Sequence, residues 1–163
     1  MLLVVADTSP VRYLIQIDKI EVVHLLFQSV TLPSVVAQEL RHPSAPAAVQ
    51  AWMGNPPDWV TESTAPRLED PLLARLDPGE RAAIALGITL HADLILIDER
   101  KGASAARSKG LEVIGTLGVL DLAASRGLID LKDSLERLKK TNFRYRPDLI
   151  STLLERHKSS GRT

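Results

Sequence analysis

The sequence predicts an α/β fold in which a parallel sheet is covered by helices on both faces. Three observations carry that expectation. The run Leu2-Leu3-Val4-Val5-Ala6 has no polar alternation, the pattern of a strand buried on both faces, and it ends in Asp7-Thr8-Ser9-Pro10. The run Leu94-Ile95-Leu96-Ile97 repeats the pattern and ends in Asp98. Between and beyond them, strand-like and helix-like stretches alternate, which points to parallel pairing through helical crossovers.

The chain has 163 residues, 45% of them apolar and 25% charged, the size and composition of one globular domain with one core. It contains no cysteine, which excludes disulfides and thiolate metal sites. The opening apolar run is too short to span a membrane and lacks the basic flank of a secretory signal, so a cytoplasmic protein without membrane attachment is expected. Formal net charge is zero, but it is unevenly spread: residues 1–125 carry 10 Lys+Arg against 15 Asp+Glu, and residues 126–163 carry 10 against 5. An acidic body with a basic tail suits a metal site beside a phosphate-gripping surface, and equally suits solvated charge with no task.

Taken in order, a short helix is expected after Pro10, with Tyr13, Leu14 and Ile17 on its buried side. Asp18 reads as the N-cap of a second helix, Lys19 to Gln28, whose face is Ile20, Val23, Leu26 and Phe27. Ser29–Leu32 is a strand candidate, and Pro33 opens a helix from Ser34 to Arg41. Residues 42–78 hold seven of the ten prolines and both tryptophans, Trp52 and Trp59. They read as a proline-rich excursion from the core, with a helix near Ala47–Met53 and an extended piece at Trp59–Thr61. The excursion is too short for a core of its own, so it would serve as a cleft wall or a partner surface, or simply be anchored to the body by Trp52 and Trp59. Regular alternation then resumes: helix 78–91, strand Leu94–Ile97, helix 99–109, strand Glu112–Ile114 and helix 117–126. Two basic amphipathic helices, about 130–140 and 147–158, close a single domain spanning 1–163.

Several acids are candidates to converge with Asp7 at the carboxyl edge of the sheet, where ligands collect in such folds. Glu39 falls between Val35 and Val36 on the half-buried arc of its helix, either as a site acid or as a surface acid whose stem snorkels. Asp77-Pro78-Gly79-Glu80 is a helix start in which Glu80 fits the third position of a capping box, yet Glu80 shares its face with Ala83, Ile84 and Gly87, the face packed on the sheet. Asp98 follows its strand as Asp7 follows the first, and neighbouring parallel strands about 4.8 Å apart would bring the two together. Asp98 also suits the N-cap of helix 99–109. Glu99 is adjacent but is expected to point elsewhere, and Asp93 lies at the wrong end of its strand. Carboxylates crowded on one edge repel and raise one another's pKa unless a cation intervenes. Oxygen-only ligands suit Mg²⁺ or Mn²⁺, and phosphodiester hydrolysis is the natural chemistry. His24, His42, His91 and His157 show no ligand spacing.

With these residues in hand the chain resembles the PIN-domain nucleases, most of all their VapC-like toxin branch. The matching stretches are Val4–Pro10, Pro33 with Gln38-Glu39-Leu40, Leu76–Ala85, Ala92–Gly102 and Val113–Leu120. The resemblance implies a PIN-like three-layer sandwich, an acidic pocket for Mg²⁺ or Mn²⁺, and endonucleolytic cleavage of RNA. It further implies Asp7, Glu39, Glu80 and Asp98 as catalytic metal ligands, with Thr8, Ser9 and Thr116 in support. Toxin relatives form homodimers and are held inactive by a small antitoxin protein. Arg12 departs from the apolar residue expected there; it would pair with a pocket acid, contact the scissile phosphate or face solvent. The alternatives are a non-catalytic PIN-like module that binds RNA or protein, and a phosphatase with Asp7 as nucleophile. The second is disfavoured by Ser9, where such enzymes carry a further Asp.

Overall fold

The computed structural model describes residues 2–159. Its first half runs β1 (Val4–Ala6), α1 (Thr8–Gln16), α2 (Glu21–Phe27), β2 (Val30–Pro33), α3 (Ser34–Arg41), α4 (Ala47–Gly54) and β3 (Val60–Ser63). A single 3-10 turn at Leu73–Arg75 leads to α5 (Pro78–Leu90), β4 (Leu94–Leu96), α6 (Arg100–Ser108), β5 (Val113–Ile114) and α7 (Thr116–Ser125). The helices α8 (Leu131–Lys139) and α9 (Pro147–Ser159) follow.

The five strands form one sheet in the order β3-β2-β1-β4-β5, every neighbouring pair parallel. From β1 the chain first builds outward through β2 and β3, then returns to the other side of β1 with β4 and β5. The order therefore reverses between β1 and β4, and the crevice outside the carboxyl ends of those strands is the switch point where doubly wound folds bind ligands.

The apolar run is central because it is buried on both sides. Val4 and Ala6 join Leu96 and the buried residues of α1, α2 and α7, whereas Val5 joins Ala83 and Leu86 of α5 with Ile95 and Ile97. Successive side chains of a strand alternate between faces, so this parity also sets where the following acids point.

Two local expectations are corrected. Asp18 does not cap a helix: it takes a left-handed backbone (φ 60°), turning the chain, and α2 begins only at Glu21. The segment 42–78 is not outside the sheet. Its β3 lies along β2, from Val30 opposite Val60 to Pro33 opposite Ser63, and forms the sheet edge. Val-Thr-Glu-Ser shows no apolar run because an edge strand needs none; its residues are half-buried or exposed. Buried Trp59 ties this segment to the body, with its ring stacked on His24 at 5.4 Å and tilted against Trp52 at 6.0 Å.

The C-terminal helices pack against α7 and against each other. Several of the cations in this region face carboxylates: Arg137 pairs with Asp133, Lys139 with Glu136, Arg146 with Asp148, and Arg156 with Asp121 of α7. Among the described residues, no helix is long and apolar enough to cross a membrane.

Candidate active site

Asp7 leaves β1 in an extended conformation, and its backbone N–H donates to Leu96 O at 2.9 Å. It shares the parity of Val5, so its side chain turns toward α5, and it is only 5% exposed. There it meets Gly79 in the first turn of α5. A Cβ at Gly79 would stand 2.8 Å from Asp7 Oδ1 and 3.2 Å from both carboxylate oxygens of Glu39. Two carboxylates thus converge on space that only glycine leaves free. The backbone around Gly79 is ordinary helix; the missing Cβ is what matters.

Glu39 is exposed, not half-buried as its helical phase suggested. Its α3 is short and lies at the carboxyl edge, so the arc between Val35 and Val36 opens onto the crevice. Its orientation is nevertheless defined, because the Thr8 hydroxyl donates to Glu39 Oε2 at 2.5 Å. Ser9, beside Thr8, makes no side-chain hydrogen bond among the described residues.

Glu80 is buried and makes the capping box in full: its backbone N–H donates to Asp77 Oδ1 at 2.8 Å, and its Oε1 accepts from the Asp77 backbone at 3.3 Å. Cap and site coexist in one residue. The Glu80 carboxyl also lies against α6, where a Cβ at Gly102 would fall 3.3 Å from Glu80 Cδ.

Asp98 departs from one expectation attached to it. It does not cap α6, which begins after Glu99 and has no side-chain cap. With Ala6 opposite Leu96, Asp7 stands beside Ile97 and Asp98 is one residue further on, on the parity that faces α7. There Thr116, fully buried at the start of α7, donates its backbone N–H to Asp98 Oδ1 and its hydroxyl to Asp98 Oδ2, both at 2.7 Å. Gly115 makes room for this grip, since a Cβ there would stand 2.7 Å from Asp98 Oδ1.

The charges are coupled across the crevice. Burial is the main reason that the Asp7 carboxyl is pushed up to about 7; a backbone hydrogen bond from Thr8 opposes it, and the charges of Asp77, Glu80 and Glu39 add to it. Glu80 is raised by burial first and then by Asp77, with Glu99 and Glu39 contributing. Asp98 is raised by burial despite the two bonds from Thr116, and Glu99 raises it further. Glu99, expected to point away, is therefore the charge felt by both Glu80 and Asp98. Asp77 and Glu99 extend the acidic cluster beyond the four acids identified by pattern. The glycines beside its members, Gly79 before Glu80 and Gly115 before Thr116, were the sequence signal available for the close contacts.

The donor set fits a divalent cation in chemistry: every candidate is a carboxylate, and the buried Asp7 lacks any side-chain hydrogen-bond donor among the described residues. In spacing the cluster is looser, because among those residues no three His, Asp or Glu side chains stand close enough to hold an ion by themselves. Arg12 is not part of the cluster. Its guanidinium lies over the Tyr13 ring, 4.8 Å from the centroid, and donates to the Tyr13 hydroxyl at 3.0 Å. Two cavities flank the acids. One of about 780 Å³ is lined by Ser34, Thr64, Arg67, Pro78 and Arg81, and one of about 470 Å³ by Asp98, Gly115 and the segment before α9.

A parallel doubly wound sheet with carboxylates gathered at its switch point defines an α/β protein with an acidic ligand crevice. The PIN-domain family profile matches residues 3–159, nearly the whole chain, and the protein belongs to that family. PIN domains are generally nucleases, so the fold is of nuclease type. Searches of the curated proteins and of the solved structures give no match.

Proposed function

We propose that this protein is a Mg²⁺- or Mn²⁺-dependent endoribonuclease that hydrolyses RNA phosphodiester bonds at the crevice between β1 and β4. The observation that supports this most directly is the convergence of Asp7 and Glu39 over Gly79, with Asp7 buried. A buried carboxylate beside other carboxylates is stable only when protonated or when a cation is present. Asp7 and Glu39 would hold the ion, with Glu80 and Asp98 on its flanks. When bound, such an ion neutralises charge developing on a phosphate and activates water for attack. The chain's own residues supply the order. Thr8 fixes one oxygen of Glu39 and leaves the other free, the capping box holds Glu80 in the first turn of α5, and Thr116 fixes both oxygens of Asp98.

The test is cleavage of a panel of structured and unstructured RNAs across a Mn²⁺ titration, using wild type, Asp7→Asn and Asp98→Asn with matched melting curves. Loss of cleavage in folded variants supports the assignment. Undiminished cleavage by either variant removes that residue from it.

On the resemblance to the VapC-like branch, the proposal extends to a cytoplasmic, homodimeric toxin controlled by a small antitoxin protein. Growth arrest on induction, relieved by co-expression of an adjacent small reading frame, is the expected result. A non-catalytic PIN-like binding module is the second reading, favoured by the hydrogen bonds that already occupy both oxygens of Asp98 and one of Glu80. It would show neither cleavage nor stabilisation by Mn²⁺.

A further inference from the structure

Between α8 and α9 the chain passes beside Asp98, and that segment is held in place at one end. The Tyr13 hydroxyl of α1 donates to Asn142 Oδ1 at 3.0 Å, and Phe143 packs edge-on against the Tyr13 ring at 5.1 Å. The Phe143 backbone N–H donates to the Thr141 hydroxyl at 3.1 Å. Beyond this anchor Arg144, Tyr145 and Arg146 are exposed, the tyrosine to 38%. With Asp98 and Phe143 they line the cavity of about 470 Å³, a volume in the range of small-ligand sites.

We propose that Tyr145 and Arg144 form a subsite for one unpaired nucleotide of a single-stranded RNA, immediately beside the acidic cluster. This rests on the reading of the crevice as a nucleic-acid site. An exposed aromatic ring beside a cation, on a backbone already ordered, is the composition of a stacking platform for bases. Arg144 is available for the phosphate: it makes no ion pair among the described residues, whereas Arg137, Arg146 and Arg156 each face a carboxylate. The platform is open to solvent, and an exposed ring stacks on a base only where that base is unpaired and its face is free. The Tyr13 anchor links this platform to α1, the helix that starts directly after Asp7, so the subsite and the acids share one rigid support.

The experiment is fluorescence anisotropy of a labelled, unstructured RNA oligonucleotide with the full chain, in EDTA and low salt so that nothing is cut. Duplex RNA, single-stranded DNA and poly-glutamate serve as comparison probes. Tyr145→Ala should weaken RNA binding by roughly five- to 150-fold, and Tyr145→Phe should restore it to within about twofold. Arg144→Gln should reduce the slope of log K against log salt by about 0.7, as loss of one phosphate contact to a single strand requires. The inference is overturned if Tyr145→Ala binds RNA like wild type, if duplex binds as well as single strand, or if wild type binds only poly-glutamate or no RNA. Tyr145-dependent binding without cleavage in Mn²⁺ would leave the subsite standing and remove the nuclease proposal. Cleavage with Tyr145-independent binding would do the reverse.

Discussion

Asp7 and Asp98 leave neighbouring parallel strands one residue out of step, so Asp7 turns toward Gly79 of α5 while Asp98 turns toward Thr116 of α7. Glu39, from a different crossover, converges with Asp7 over Gly79. The acidic crevice therefore has two walls, one built on α3 and α5 and one on α7. The charge of Glu99 raises both Glu80 and Asp98.

The metal-free protein should lose stability as pH rises through neutrality. The Asp7 carboxyl sits at about 7 in the fold against an ordinary 3.8, so its contribution is fully present below about pH 4 and is lost as pH rises through 7. Asp7→Asn removes that dependence. In EDTA at pH 8 the variant should be more stable than wild type by about 1–3 kcal/mol, with no such gain near pH 4. Paired denaturant titrations at the two pH values measure the difference; a variant less stable than wild type at pH 8 would contradict the account.

Divalent cations should reverse the same penalty. Mn²⁺ at about a hundred times its dissociation constant would stabilise wild type by about 2.7 kcal/mol, read as a rise in Tm. Asp7→Asn and Glu39→Gln should show a much smaller rise. An equal response in all three proteins would place the ion elsewhere.

Gly79→Ala should separate fold from site. Alanine is preferred to glycine within a helix by about 1 kcal/mol. Here, however, its Cβ would stand 2.8 Å from Asp7 Oδ1, and the carboxylates must move apart. The expected result is a folded protein with a diminished Mn²⁺-dependent Tm shift and diminished cleavage. A thermal shift assay with and without Mn²⁺ distinguishes this from simple unfolding.

Thr116→Val should loosen Asp98 while keeping the shape of the side chain. Removing the hydroxyl leaves Asp98 Oδ2 without its donor in a half-buried position, at a cost of about 1–3 kcal/mol. Thr116→Ser keeps the donor and should recover most of the loss. Chemical denaturation of the three proteins at neutral pH is the measurement; equal stability of the valine and serine variants would show that the hydroxyl bond contributes little.

The legible parts of this chain were those decided within a few residues. Val4–Ala6 and Leu94–Leu96 were readable because burial on both faces demands unbroken apolar sequence. The start of α5 was readable because Asp77, Pro78 and Glu80 satisfy its orphan N–H groups locally. β3 was not read as part of the sheet, because an edge strand has one face in water and its partner β2 lies 30 residues away along the paired register. Asp18 fits a helix cap and a left-handed turn equally well in sequence, and the fold uses it in the turn.

By itself, then, the sequence determined a parallel α/β architecture and the carboxyl edge on which its acids end, since both follow from apolar periodicity and local capping chemistry. Only the tertiary structure decided which acids meet. That depends on strand register, on pleat parity, and on the Cβ atoms absent at Gly79 and Gly115, none of which is a property of neighbouring residues alone. The run Val4–Ala6 places Asp7 at the edge, and the packing of α5 beside it leaves, at Gly79, the space on which Asp7 and Glu39 converge.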